Sequence, residues 1–396
     1  MGRKKTIERP HSTAYKPLSF EKQIEGAAVN KRSNLGWIKW GQKNDYPNRL
    51  LNLYANSPTH SACIRFGVQS IVGLGIDYDA MRIDGSQMVP NPMYSWDELI
   101  RSVSMDYMLY GSYCIEVIRN RDGQTFSFYH MPMEKVRMTE YDENGDITSY
   151  YVSSDWTTSE IPQLVDAFDM RDADQIKPGK PYLYVYRPYD PVTRYYTSPL
   201  YLSGIKAIQS EIEFCNYDLK SAINSFVPSG MLVLNEVATD EERQGVINNV
   251  QQMFTGTENA NSIMITFRDN PDSPIPQFVP FSTSKENFNL FDSSNQRNIV
   301  RILSAHQIPN ASLVGLPDIG STGFASDAQK LEIAYNLYNQ LIGNTNRRNI
   351  VGSLNHMFAM NGIDTEIVIK PLTFLDGDKP MPESNEETQT EDNDNQ

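Results

Sequence analysis

The amino-acid sequence predicts an α+β protein in which helices pack on a mostly antiparallel sheet and a long helical segment follows. Two observations support this class. Apolar residues recur at steps of three and four over 205–226, the pattern of a helix that buries one narrow stripe. Before that helix, short segments of alternating polarity are joined by Asp122-Gly123 and Asn144-Gly145, which indicate hairpin turns.

The first predicted elements follow a polar arm, residues 1–34. A polar turn leads into an amphipathic helix whose apolar residues include Leu50 and Leu53. A second helix is predicted to begin at Ser57 and Pro58, because serine is a favoured N-cap and proline fits the first helical position.

The next helix opens with a predicted capping box. Ser95 precedes Glu98 by three residues, so each side chain can accept a hydrogen bond from the backbone N–H of the other residue. The helix should run to Tyr110 and end at Gly111, and residues 155–181 should be irregular. We predict strands at 112–118, 125–130, 136–139, 147–152 and 182–186.

The long helix dominates the middle of the chain. Ser198 is its predicted N-cap and Pro199 its first residue, while Pro228 and Gly230 stop it. A helix of about 29 residues would measure roughly 43 Å. Its narrow stripe predicts packing along another helix, from this chain or from a neighbouring one.

A small insert follows the long helix. Strands are predicted at 231–234 and 262–267, and a capping box at 239–242 opens a helix between them. An extended piece lies around Phe278. This β-α-β unit is too small to bury much core alone, so it needs neighbours.

The last part of the chain is mainly helical. A second stripe over 288–303 ends near His306, and it is followed by a glycine- and serine-rich connection over 310–327. The next helical pattern is interrupted at Gly343-Asn344 and resumes afterwards, before a short strand at 366–369.

The charge balance bears on function. The formal net charge is −14, and half of it lies from residue 376 onward, where eight acidic residues face one lysine. A protein that grips DNA is expected to show a basic stripe, so this balance argues against tight or sequence-reading DNA binding. No run of about 18 apolar residues occurs, which predicts no membrane span.

Known catalytic motifs are missing from the sequence. It has no G-x-x-x-x-G-K-[ST] phosphate loop, no H-E-x-x-H zinc motif and no G-x-S-x-G elbow. The five histidines lack ligand spacing, and Cys63, Cys114 and Cys215 should be small buried hydrophobes. We predict no cofactor, no metal and no enzymatic activity. A carboxylate-dependent hydrolase stays open, because acidic residues are abundant.

Four short motifs occur in a recognisable order. Y-G-x-x-x-x-E ends at Glu116, S-P-L at 198–200 opens the long helix, P-S-G-x-L follows at 228–232, and I-P-x-x-x-L-V-G-L spans 308–316. This order, over about residues 35–375, resembles the portal family of tailed bacteriophages. Portals are the head–tail connector rings through which DNA enters and leaves the capsid.

The resemblance implies a portal-like architecture. It has an α+β wing, a long helical stem, a small α/β clip and a tunnel loop, with the crown reduced or absent. The implied segments are an arm (1–34), the wing (35–197), stem helix 1 (198–227), the clip (228–286), stem helix 2 (287–306), the tunnel loop (307–327), wing or crown-base helices (328–375) and an acidic tail (376–396).

The resemblance also assigns residues. Stem and subunit packing falls to Ile205, Ile208, Ile212, Leu219, Phe226, Ile299 and Ile302. The tunnel loop would touch DNA through Asn310, Gly320, Ser321, Thr322 and Gly323. The clip would face the terminase or an adaptor protein with Glu241, Glu242 and Asn259.

The implied function is that of a non-enzymatic ring subunit, by family a dodecamer, in the virion at one capsid vertex. Its implied partners are itself, the major capsid and scaffolding proteins, the large terminase, head-completion or adaptor proteins and passing double-stranded DNA, with no membrane. Assembly would take place in the host bacterial cytoplasm. A generic oligomeric scaffold with a coiled-coil seam is the other open alternative besides a hydrolase.

Overall fold

The first part of the described chain combines a layer of helices with small antiparallel sheets. The computed structural model describes residue 33 and the ranges 36–85, 88–143, 145–158, 160–223, 231–234, 244–245, 264–267, 278–279, 285–317 and 328–372. The helices of this part are α1 (Tyr46–Asn56), α2 (Pro58–Val72), the short α3 (Tyr78–Met81) and α4 (Trp96–Tyr110).

The predicted helix starts in this layer are confirmed. The Ser57 side chain caps α2 by accepting a hydrogen bond from the backbone N–H of His60. At the start of α4, the Ser95 N–H donates to Glu98 Oε2 at 2.7 Å, and the Glu98 N–H donates to Ser95 Oγ at 3.3 Å. Gly111 ends α4 with φ of 74°, a left-handed conformation that favours glycine.

Six strands accompany these helices. They are β1 (Tyr113–Arg119), β2 (Phe126–Met131), β3 (Val136–Met138), β4 (Ser149–Val152), β5 (Gln163–Asp166) and β6 (Pro181–Tyr186). They form two three-stranded sheets, in the orders β2-β1-β6 and β3-β4-β5, and every pairing is antiparallel. The mostly antiparallel sheet expected from the hairpin turns is therefore confirmed.

The expectation that residues 155–181 are irregular is wrong in part. Strand β5 lies there and pairs with β4, and a 3-10 turn follows at Met170–Gln175. Only Val165 of the strand is buried, while Leu164 is exposed and two polar residues flank the pair. Such a short strand has too little alternation for a sequence pattern to reveal it.

Aromatic side chains fill much of the core beneath these sheets. The Trp40 ring stacks on Tyr196, with centroids 4.4 Å apart. Arg137 is also buried, and its guanidinium group lies 4.7 Å from the Trp156 ring and donates to Asn44 Oδ1 at 2.6 Å. Burial lowers the pKa of Arg137 to about 10, so the group stays charged at neutral pH.

The long helix α5 (Ile205–Ile223) begins later than predicted. Ser198 does not cap it: the Ser198 hydroxyl is buried without a hydrogen-bond partner, and its backbone N–H donates to Asp190. A turn closed by the Leu202 N–H to the Pro199 carbonyl and a 3-10 turn at Leu202–Gly204 precede the helix. The tertiary contact with Asp190 therefore overrides the local capping signal.

The small insert contains three described strands. They are β7 (Met231–Leu234), β8 (Met264–Phe267) and β9 (Phe278–Val279), in the sheet order β8-β7-β9. Strand β7 pairs parallel with β8, and a parallel pair requires a crossover connection. This agrees with the predicted β-α-β unit, whose helix lies largely outside the described residues.

Helices dominate the remainder. Helix α6 (Lys285–Ala305) is followed by a 3-10 turn at Ala311–Val314, and α7 (Ala328–Tyr338) passes through a π-helical segment, Asn339–Gly343, into α8 (Asn344–Met360). The predicted interruption at Gly343 is wrong, because Gly343 keeps helical angles and the wider π turn absorbs the change in spacing. The strand predicted at 366–369 is reduced to one bridge between Ile369 and Ile76.

Candidate functional site

Helices α5 and α6 form an antiparallel pair. The residue that precedes α5, Gly204, lies beside Ala305 at the end of α6, so closely that an added Cβ would be 2.5 Å from the Ala305 Cβ. Further along, Asn298 Nδ2 donates to Ser210 Oγ at 2.9 Å. The start of α5 therefore lies against the end of α6, which confirms the prediction that the long helix packs along another helix.

The apolar stripe on α5 is covered only over the first half of the helix. Ile208 and Ile302 are fully buried, and Ile205, Ile212 and Ile299 are half-buried. Leu219 is 59% exposed. Phe226 lies outside the described residues. The stripe thus joins the core near the start of α5 and emerges from it toward Leu219.

Two of the three cysteines behave as predicted. Cys63 and Cys114 are buried, whereas Cys215 is exposed. The expectation of a buried Cys215 is wrong because it assumed that the stripe on α5 is covered along its whole length. The stripe on α5 is covered only as far as Ile212, which lies about one helical turn before Cys215.

A buried carboxylate joins α5 to the helical layer. Glu211 is buried, and its two carboxylate oxygens accept hydrogen bonds from the hydroxyls of Ser57 and Thr59 at the start of α2. The N-terminus of a helix carries a partial positive charge, which favours a carboxylate at this position. Because its negative charge is met by two donors and a helix terminus, Glu211 can stay buried.

Two histidines extend this junction to α6. His60 Nδ1 and His306 Nε2 are 2.9 Å apart, and the Tyr201 ring packs against both imidazoles. Burial lowers the pKa of His60 to about 3 and that of His306 to about 4, because the imidazolium form loses its hydration. Both rings are therefore neutral at physiological pH, and one donates its N–H to the other. We call Ser57, Thr59, His60, Glu211 and His306 the joint.

Sequence reasoning missed the joint. Glu211 follows Ile208 by three residues, so it lies on the buried side of α5. A charged residue on the buried side of a helix is the sequence feature that could have indicated this buried contact. The histidines gave no signal, since they are 246 positions apart. The chemistry of the joint is structural: it ties the start of α2 to both helices of the pair.

The predicted tunnel-loop residues fall into two groups. Asn310 caps the 3-10 turn Ala311–Val314, since its Oδ1 accepts from the Ser312 N–H at 2.7 Å. This contact holds the local backbone. Gly320, Ser321, Thr322 and Gly323 lie outside the described residues.

The predicted clip residues Glu241, Glu242 and Asn259 also lie outside the described residues. Within the described ranges, no group of three or more histidine, cysteine or acidic side chains is arranged to hold a metal ion. The helices of the same ranges include none that is long and apolar enough to cross a membrane.

A histidine–carboxylate pair bears on the hydrolase alternative. His130 Nε2 lies 2.9 Å from Asp106 Oδ2. The same carboxylate oxygen accepts from the backbone N–H of Met133 at 2.9 Å. Asp106 thereby fixes the chain after β2 against α4, a structural task that accounts for its burial.

Comparisons with known proteins give the fold. No family model and no curated protein matches the chain. Among solved structures, a chain in the virion of a native gene transfer agent particle is 14% identical, with a TM-score of 0.54 over 82% of this chain and 83% of that chain. A chain in the neck of the native particle, computed with C12 symmetry, has the same identity and TM-score over 88% of this chain and 86% of that one.

A portal protein of the HK97 phage family from Corynebacterium diphtheriae is also similar. It is 12% identical, with a TM-score of 0.42 over 77% of this chain and 87% of that chain. At such identities a structural likeness establishes the fold alone. The chain therefore has the mixed helix-and-sheet fold of a protein in the neck of the gene transfer agent virion.

Proposed function

We propose that the chain is a portal subunit, which forms a ring at one capsid vertex and lets DNA pass during packaging and ejection. The observation that carries the proposal is the likeness to a chain of a C12-symmetric virion neck, which spans most of both chains. The ordered motifs of the sequence support the same conclusion independently. A ring of twelve subunits is the assembly we propose.

The fold elements then take the parts named from the sequence. The helical layer with β1–β6 is the wing, α5 and α6 are the stem, β7–β9 belong to the clip, and residues 307–327 form the tunnel loop. The half-covered stripe supports this assignment, because an apolar face that ends in solvent gains burial from neighbours in a ring.

The proposed partners follow from these parts. The wing would seat in the shell of capsid and scaffolding proteins, and the clip would dock first the terminase and later the head-completion proteins. Energy for DNA movement would come from the terminase, since the sequence has no phosphate loop of its own. An overall negative charge suits a channel that must not hold DNA.

Native mass spectrometry of the purified full-length chain tests the proposal. We expect a closed ring, with a mass of twelve subunits. The generic scaffold is separated by a second measurement, in which rings are added to procapsids and terminase and packaged DNA is counted. A chain that stays monomeric at all concentrations, or rings that support no packaging, would overturn the portal assignment.

A further inference from the structure

Helix α7 and the π segment after it carry an exposed apolar line. Ile333, Leu337 and Leu341 are 66%, 46% and 64% exposed, and we call them the ridge. In a regular α-helix such a line drifts around the axis, but the π segment turns the chain less per residue and returns Leu341 toward the line of Ile333. An apolar line this exposed on a folded chain marks an interaction surface.

The ridge lies on the side of α7 that faces away from α2. The other side of the helix holds the buried Tyr335 and Tyr338, and the Tyr338 ring lies 4.8 Å from the ring of Phe66 on α2. The ridge therefore points away from the helical layer to which α2 belongs.

A groove with an apolar floor lies elsewhere on the same chain, between α1 and α5. Leu50 and Leu53 form one wall, and the half-buried Ile205 and Ile212 form the other. Helix α1 packs on α2, the helix from which the ridge points away. A copy of the chain therefore cannot place its ridge in its own groove. We call this set of four residues, with Gln209 at its rim, the groove.

The charges around the two surfaces are complementary. Exposed cations lie at the two ends of the ridge, Lys330 and Arg348, and the exposed Glu213 lines the groove on α5. A second pair of charges is also opposite in sign: Glu332 lies beside the ridge, and Arg49 lies on the α1 wall of the groove. Complementary charges of this kind set register and reject wrong partners.

We propose that the ridge of one copy docks in the groove of the next copy around the ring. Because the two surfaces differ, the contact is heterologous, and such contacts close into a ring when the rotation between copies allows it. This inference rests on the proposed ring, and it assigns the surfaces that hold neighbouring subunits together.

Two single variants test this contact by native mass spectrometry. Leu337→Glu places a charge on the ridge, and Gln209→Trp fills the groove from its exposed rim. Each should lower ring assembly about a hundredfold, since a buried unpaired charge or a steric block removes the contact. Ile161→Glu is the matched control, because Ile161 is 90% exposed and belongs to neither surface.

Mixing the two variants sharpens the test. Leu337→Glu keeps an intact groove and Gln209→Trp keeps an intact ridge, so a mixture should form one-to-one dimers and stop there. Rings in either single variant at the parent's concentration dependence would overturn the inference and leave the portal proposal standing. A parent chain that never assembles would overturn both.

The exposed Cys215 supplies a second, independent readout. It follows Ile212 of the groove by three residues, while Cys63 and Cys114 are buried. In Leu341→Cys rings, a short bismaleimide should link neighbouring subunits into a covalent ladder, and in Ile161→Cys rings it should not. Assembled Leu341→Cys rings that give no ladder would place the ridge away from the neighbour's groove and overturn the inference.

Discussion

Two histidines from distant parts of the chain meet inside the molecule, and their neutrality is a condition of the fold. In the unfolded chain each imidazole titrates near its ordinary pKa of about 6.5. In the folded chain burial lowers the pKa of His60 to about 3 and of His306 to about 4. Between these values the unfolded state binds more protons, so folding stability falls as the pH is lowered.

This linkage gives a prediction for pH-dependent unfolding. Stability should be fully present above about pH 6.5 and should decrease by a few kcal/mol as the pH falls toward 4. His306→Gln should flatten that dependence, because it removes one of the two buried titrating groups. Urea unfolding of the full chain at several pH values measures it, with the exposed His356→Gln as control. An equal slope in both variants would show that the buried pair does not contribute.

Glycine at position 111 is required for two separate reasons. Its φ of 74° is left-handed, and an added Cβ would lie 2.5 Å from the backbone carbonyl oxygen of Ser198. Gly123 has a similar φ of 71°, but nothing lies within 4 Å of its added Cβ. Comparing substitutions at Gly111 and Gly123 therefore separates the cost of a left-handed backbone from the cost of a steric clash.

Alanine at these two positions should have unequal effects. Gly123→Ala should cost about 1 kcal/mol, which is the strain of a left-handed non-glycine residue. Gly111→Ala should cost at least about 2 kcal/mol more, since a backbone carbonyl cannot rotate away as a side chain can. Thermal melting of both variants compares them. Similar losses of stability in both variants would mean that the backbone around Ser198 moves aside at little energetic cost.

At the scale of elements, local signals predicted those helices and strands that are set by local chemistry. The capping box of α4, the serine N-cap of α2 and the hairpins of β1–β4 were all readable from the sequence. The start of α5 was not, because Ser198 and Pro199 look like a cap while Asp190 holds the chain in another conformation. The joint was not readable either, since His60 and His306 come together only through the tertiary fold.

The close contact of α5 with α6 gives a prediction at this scale. Gly204→Ala would place a methyl group 2.5 Å from the Ala305 Cβ, so the two helices must separate. We expect a loss of about 1–3 kcal/mol. Gly352→Ala on α8, where nothing lies within 4 Å, should instead stabilise by about 0.5–1 kcal/mol through helix propensity. Chemical unfolding measures both, and stabilisation by Gly204→Ala would show that the helix pair is loosely packed.

At the scale of the whole molecule, the proposed ring would divide the described surfaces between contacts among copies and contact with DNA. The ridge and the groove are the surfaces we propose for contacts between copies, and the joint ties the helix pair to the helical layer. In the same proposal, contact with DNA falls to the segment between the 3-10 turn Ala311–Val314 and α7. Both ends of that segment are anchored by buried groups: Ala311 on one side, and Tyr335 and Tyr338 on the other.

The last prediction concerns the segment between those anchors. Deleting residues 320–323 should leave ring assembly and melting temperature nearly unchanged, because changing the length of a connection alters its closure entropy only slightly. The deletion should impair packaging or retention of DNA in an assay with terminase and procapsids. Lysines at Ser321 and Thr322 should slow translocation most at low salt, where attraction to phosphate is least screened. If both variants package and retain DNA like the parent chain at every salt concentration, the segment does not contact DNA, even though the ring itself can still be a portal.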